Sequence, residues 1–433
     1  MQVSVEKTSE LSRKMTVSVP EEVVQEKMED RLKKLAREVK LDGFRPGKVP
    51  QHVVKKMYGD RVRGEVTGDL IQSTYYEAIQ ENNLRPAGYP SIDPLDEAAG
   101  FKYTAVFEVY PEISLEGIDQ LEITRKHAQI EVSDLDAMVE KIRKQKKGWV
   151  QVERPSQVED KITISFTGVC EGENFTDGKV ENFQVEIGAN QMIPGFEDHL
   201  KGLSTGDSKS FEVSFPEQYG NAKLAGKPAT FEIEVAKVEE PSYPDLDEEF
   251  IKSYGIENGD MNAFREDVKA NMERELAMAL NGQLKNAVMD ALFDKIKVTL
   301  PNSLVDEEIN NLQKPYRENA RKQKLNAEDL NLPRDMFEEQ AQRRVALGLI
   351  LAEIIHKNGI KVSPDKVRET IEDMAKSYER PADVVNWYYS DEQRLNEVRQ
   401  MVLEDQTVEW IVSQAKVADE NVSFDAIMTT QQS

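Results

Sequence analysis

Apolar and polar positions alternate along residues 2–19, where Val17 and Val19 keep the two-residue period that predicts strand. At Pro20 the period changes. In PEEVVQEKMEDRLKKLAREVKLDGF the apolar positions Val24, Met28, Leu32, Leu35 and Val39 fall three and four apart, the stripe of a helix with one buried face. Gly43 marks its expected end, since glycine accepts the left-handed conformation that closes many helices. A second helix is expected from Pro50 through QHVVKKMYG and a third through DLIQSTYYEAIQENN, after which FKYTAVFEVYPEI returns to alternation and stops at Pro111. Residues 1–111 therefore read as an α+β domain. Within it GFRPGKVP, Gly43 to Pro50, forms a loop between two helices.

Residues 112–147 hold one amphipathic segment, VSDLDAMVEKIRKQKKGW, with Ser133 as its candidate N-cap; they read as a connector. From 148 to 241 the texture changes to short alternating runs, KITISFTGVC, NFQVEIG, KSFEVSF and ATFEIEVAKVEE, punctuated by glycine. That is a β domain with one short helix. From 242 to 433 the helical period returns in NMERELAMALNGQLKNAVMDALFDKI and MFEEQAQRRVALGLILAEIIHKNGIKV. Ser363 and Pro364 open a further helix as cap and first residue, and SLVDEEINNL after Pro301 starts similarly. The final VSFDAIMTTQQS reads as a fraying tail. Met272, Met278, Met289, Met374 and Met401, with Trp387, Tyr388 and Tyr389, read first as packing residues of the helical part.

Composition sharpens this picture. A chain of 433 residues implies two to four domains. Hydrophobic residues at 39% and charged residues at 31% indicate much solvated surface, as in an elongated or multi-lobed molecule. A formal charge of -24 argues against nucleic acid as the partner of the whole surface. The charge is uneven, however: Lys27–Arg63 carries 12 Lys/Arg against 5 Asp/Glu. Such a basic island on an acidic chain is the footprint of one polyanion contact. The one cysteine, Cys170, excludes an internal disulfide and fits a reducing cytoplasm. His52, His127, His199 and His356 lie far apart without metal-ligand spacing, so no metal is expected. No N-terminal apolar core of a signal peptide and no run of 18 apolar residues is seen, so no membrane partner is expected.

The order ISFTG, FQVEIG, MIPGFE, LKGL, GD, FPEQYG and FEIEV across 148–241 resembles the FKBP family of peptidyl-prolyl isomerases. Carried over motif by motif, the resemblance implies an apolar pocket lined by Phe166, Phe175, Phe183, Met192, Ile193, Phe196, Tyr219 and Phe231. Phe196 stands where the family often has tryptophan, and Thr176 where it often has aspartate. Such a pocket needs no cofactor, nucleophile or metal, because the ~18–20 kcal/mol barrier is the amide resonance lost on twisting. The plainer alternative is that these aromatics only fill a small β core.

GFRPGKVP, placed before that domain and a long helical region, resembles the trigger factor family along the whole chain. The family signature G-F-R-x-G-x-x-P is met by Gly43, Phe44, Arg45, Gly47 and Pro50, with Pro46 where lysine is common and Lys48 as a second cation. The glycines allow a tight loop, the prolines stiffen it, Arg45 and Lys48 suit phosphate or carboxylate, and Phe44 offers an apolar anchor. The resemblance implies a cytoplasmic chaperone docked on the large ribosomal subunit near the exit tunnel, touching protein and ribosomal RNA. It further implies a helical body with arms that receives nascent and unfolded polypeptides, and a weak homodimer off the ribosome. Two other readings remain at this point: a free isomerase with substrate-binding flanks, or a non-catalytic ribosome or RNA adaptor.

Overall fold

The computed structural model describes residues 1–41, 44, 49–93, 101–176, 178–221, 223–323, 330–376, 378 and 380–430. They form two compact units, one of residues 1–125 with 282–420 and one of residues 126–281 with 421–433.

The first unit opens on a four-stranded antiparallel sheet of β1 (Gln2–Lys7), β2 (Ser12–Val19), β3 (Ser91–Ile92) and β4 (Phe101–Glu108), in the order β1-β2-β4-β3. Residues 2–19 are thus two strands of a hairpin rather than one. The alternation of β2 sends Met15, Val17 and Val19 inward, where they meet Leu32 and Ala36 of α1 (Glu21–Glu38) and Val54, Val62 and Val66 of α2 (Gln51–Glu81). The two helices expected after Pro50 are one helix. Gly59, Gly64 and Gly68 lie within it, and the ~1 kcal/mol that each glycine costs against alanine is outweighed by the continuous buried stripe through Leu70, Ala78 and Ile79.

β5 (Glu122–His127) leads into α3 (Val132–Gln145). Its N-cap is Glu131, whose backbone N–H donates to Asp134 Oδ2 at 2.9 Å in a reciprocal capping box. Ser133, the expected cap, lies inside the first turn, because the Glu131–Asp134 capping box sets the N-cap two residues earlier.

The β domain is a six-stranded antiparallel sheet. Its strands are β6 (Gly148–Gln151), β7 (Lys161–Cys170), β8 (Glu173–Asn174), β9 (Val180–Glu186), β10 (Ser208–Ser214) and β11 (Pro228–Ser242), with α4 (Phe196–Leu200) packed on one face. The long strands β7 and β11 pair at the centre, β10 borders β11, and β9 borders β7. Every inward position of β11 from Ala229 to Val235 is buried, as the two-residue period requires.

Beyond it the chain is helical: α5 (Glu248–Lys252), α6 (Met261–Lys295), α7 (Asn302–Lys322), α8 (Asp335–Asn358), α9 (Pro364–Ala375), α10 (Pro381–Tyr389) and α11 (Glu392–Gln414). Ser363 caps α9 as expected, its Oγ accepting from the Lys366 N–H at 3.4 Å. The strand β12 (Lys416–Asn421) pairs with β5, a pairing between residues nearly 300 positions apart that no local pattern announces. The tail does not fray as a whole: Phe424 and Ile427 of α12 (Phe424–Thr430) are buried against Val139, Phe250 and Phe264. In the first unit Ile113, Ile118, Leu121 and Ile123 share a core with Leu292, Ile350, Ile354 and Ile411. No described helix is long and apolar enough to cross a membrane.

Candidate functional site

The central residue of the β domain is Phe231. β11 sets it opposite Gly168 of β7 and Phe211 of β10. Five rings surround it at centroid distances of 5.0 Å (Phe196), 5.6 Å (Phe175), 6.0 Å (Phe166), 6.0 Å (Phe211) and 6.4 Å (Phe215). Phe175 and Phe196 each make a T-shaped pair with Phe231, the arrangement the aromatic quadrupole favours. Phe196, Phe166 and Phe231 are buried, whereas Phe183 is 36% and Tyr219 40% exposed. Phe183 sits 5.5 Å from Phe166 and Tyr219 sits 4.6 Å from Phe215. The set is therefore a closed aromatic floor with an open aromatic rim. Met192 and Ile193 pack half-buried against the same cluster.

Two members were not singled out from the sequence. Phe211 and Phe215 occupy alternate positions of KSFEVSF with Val213 between them, and all three are buried. That strand period was the available signal. Phe215 carries Tyr219 and Phe175, and Phe211 stacks on the His199 imidazole at 4.5 Å.

Phe175 is seated by Gly168. A Cβ at that position would overlap the Phe175 ring, and the Phe175 N–H donates to the Gly168 carbonyl at 3.1 Å. Next to it Thr176 Oγ1 accepts from the Gly168 N–H at 3.3 Å and lies 2.7 Å from both Asn174 Oδ1 and the Gly178 carbonyl. A hydroxyl here both accepts from an N–H and donates to a neighbouring oxygen, which an ionised carboxylate cannot do.

Glu197 follows Phe196 in α4 and is only 8% exposed. Its carboxylate accepts four backbone N–H groups: Gly188 at 2.8 Å and Asn190 at 3.1 Å on Oε2, Gln191 at 2.8 Å and Met192 at 3.2 Å on Oε1. Burial pushes its pKa up, but the four N–H groups outweigh burial and hold it below the usual carboxylate value. Stabilisation by this group is therefore complete above the unfolded carboxylate range and is lost as pH falls through the lowered folded value.

In the N-terminal sheet domain, Gly43, Arg45, Pro46, Gly47 and Lys48 lie outside the described residues. Phe44 is 39% exposed and its N–H donates to the Leu41 carbonyl at 3.1 Å; Pro50 is the residue before α2. Part of the surrounding basic island is internally balanced, since Arg31 meets Glu65 through Nε at 3.0 Å and Nη2 at 2.9 Å.

Among the helices Met272 is buried and Met289 and Met374 are half-buried, but Met278 and Met401 are exposed. Trp387 and Tyr389, read as packing residues, are also exposed, with the Arg394 guanidinium 4.0 Å above the indole. Only Tyr388 of that trio packs on the α9–α11 cluster. A nine-residue helix with aromatics at three successive positions cannot turn all of them inward.

Residues 152–236 match the family described as FKBP-type peptidyl-prolyl cis-trans isomerase, which accords with the aromatic floor and rim around Phe231. The chain thus carries a peptidyl-prolyl cis-trans isomerase domain of FKBP type. Residues 1–142 match the bacterial trigger factor protein family and residues 260–413 its C-terminus. The trigger factor of Pseudomonas syringae pv. syringae is 44% identical over 428 residues, covering 98% of this chain and 97% of the relative. That of Thioalkalivibrio sulfidiphilus is 43% identical, covering 99% and 98%. A solved structure titled "Promiscuous Substrate Recognition in Folding and Assembly Activities of the Trigger Factor Chaperone" shares the fold with a TM-score of 0.50 at 16% identity, over 95% of this chain and 99% of that one. The chain belongs to the trigger factor family of chaperones.

Proposed function

We propose that this chaperone docks on the large ribosomal subunit beside the peptide exit tunnel through GFRPGKVP, receives nascent chains on its helical surface, and isomerises Xaa-Pro bonds in the Phe231 pocket. Residues 1–111 are the docking domain, 148–241 the isomerase domain, and 112–147 with 242–433 the client-binding body. What supports the reading most is the division of labour among aromatics: a buried ring floor with an open rim in the β domain, and exposed Phe44, Trp387 and Tyr389 elsewhere.

For isomerisation, Phe166, Phe196 and Phe231 form the floor under the prolyl ring, while Phe175, Phe183, Met192, Ile193 and Tyr219 form its walls. A dry aromatic floor disfavours the charge-separated planar amide relative to the twisted one. Each ~1.4 kcal/mol of that difference speeds rotation about tenfold. Apolar residues before proline suit the exposed faces of Phe183 and Tyr219.

For docking, Phe44 is the apolar anchor, and Arg45 and Lys48 meet phosphate or carboxylate groups. The combined change Phe44→Ala, Arg45→Ala, Lys48→Ala should abolish co-sedimentation with ribosomes. It should leave thermal stability within ~0.5 kcal/mol, as exposed-loop changes usually do. Binding of the parent protein should weaken with added salt, because part of it is phosphate contact. A triple variant that still pellets fully at moderate salt overturns the docking assignment.

A further inference from the structure

We infer that Glu197 is a positioning residue of the isomerase: its carboxylate clamps the 188–192 loop so that Met192 and Ile193 are held against the aromatic cluster as one wall of the pocket. The inference rests on the Phe231 pocket being the isomerase site.

The geometry is specific. Residues 188–192 connect β9 to the turn before α4 and belong to no strand or helix. Such a segment must satisfy its N–H groups locally or in water. Here four of them, those of Gly188, Asn190, Gln191 and Met192, converge on one carboxylate, two on each oxygen. Both oxygens are thereby used, and the remaining loop has no freedom to swing without breaking charged hydrogen bonds, which are about twice as strong as neutral ones.

The clamp and the floor share a backbone. Phe196 is fully buried at the pocket base and Glu197 is the next residue. Gly195, with φ of 87°, turns the chain so that α4 begins with Phe196 directed inward, and the Phe196 N–H donates to the Ile193 carbonyl at 3.1 Å. The wall residues Met192 and Ile193 are therefore tied at one end to Glu197 through the Met192 N–H and at the other to Phe196. A carboxylate is required rather than any polar group. An amide oxygen can serve two of the donors, but the amide nitrogen would face the other two with hydrogens of its own.

The test uses the full chain and an Xaa-Pro peptide assay alongside amide hydrogen exchange. Glu197→Gln should lower kcat/KM at least tenfold and speed exchange at Gly188, Asn190, Gln191 and Met192 by a similar factor. Exchange along β7 and β11 should be unchanged, which separates loss of the clamp from loss of the fold. A variant with the loop deprotected but kcat/KM within twofold of the parent overturns the inference, and so does one whose loop stays protected. Should Glu197→Gln fail to fold, Met192→Ala with Ile193→Ala removes the wall and leaves the carboxylate. It should reproduce the tenfold loss with loop protection intact, and turnover within twofold of the parent overturns the inference. Phe231→Ala is the separate control: if it retains turnover, the pocket assignment fails, not the clamp.

Discussion

The β domain and the helical region use aromatic side chains in opposite ways. Around Phe231 the rings face one another, and most are buried with centroids 5.0–6.4 Å from it. On α10 Trp387 and Tyr389 face outward, and Tyr316 of α7 is likewise exposed. A site that must lower one rotational barrier needs a fixed, dry surface of small area. On the proposed reading, a surface that retains many unrelated unfolded segments needs dispersed apolar groups that bind weakly and rearrange. Scattered exposed aromatics are costly to solubility, and the surrounding charge, -24 over the chain, offsets that cost.

The comparison breaks most sharply if the two regions are separated. Gly148 and Ser242 are partners in the β6–β11 pairing, so excising the domain leaves only a short gap to bridge. Deleting 148–241 with a short flexible linker should abolish Xaa-Pro isomerisation while most suppression of client aggregation remains. Light scattering of a refolding client checks this, and the isolated domain protecting as well as the full chain would contradict it. Within the pocket, Phe231→Ala removes the ring every neighbour touches. It should cost about 3–5 kcal/mol of domain stability and at least tenfold in peptide turnover.

Gly168→Ala should act more narrowly. The added methyl displaces the Phe175 ring, so turnover should fall about tenfold with the other floor rings in place, as methyl and ring chemical shifts of the domain would reveal. The smallest effect is expected outside. Trp387→Ser with Tyr389→Ser should change stability by less than ~0.5 kcal/mol each and leave isomerisation untouched. Aggregation suppression should nevertheless drop measurably, roughly twofold. If suppression is unchanged, α10 is not part of the client surface.

The sequence carried much of this because both regions obey simple periods. KITISFTGVC read as strand and is β7, and Ser363–Pro364 opened α9 where expected. What it missed depends on contacts distant in sequence. The run through Gly59, Gly64 and Gly68 was read as two helices because local propensity says nothing of the buried stripe that carries α2 across them. The β5–β12 pairing and the packing of Phe424 on Val139 join residues nearly 300 positions apart. Motif order picked out rings that cluster around Phe231, but not the support beneath them. Phe211 and Phe215 look like ordinary strand residues, and the role of Glu197 is visible only once four backbone N–H groups are seen to converge on it.

That last helix bears on the order in which the molecule is made. A ribosome delivers the chain from residue 1 onward, and the sheet from Gly148 to Ser242 is contiguous, so it can close soon after its own last strand emerges. The cluster of Val139, Phe250 and Phe264 must instead wait for Phe424 and Ile427, which follow it far along the chain. The isomerase domain can therefore close early, while the core around Val139, Phe250 and Phe264 is completed only after α12 has been made. A chain that stopped before Phe424 would leave that cluster without the α12 side chains that cover it.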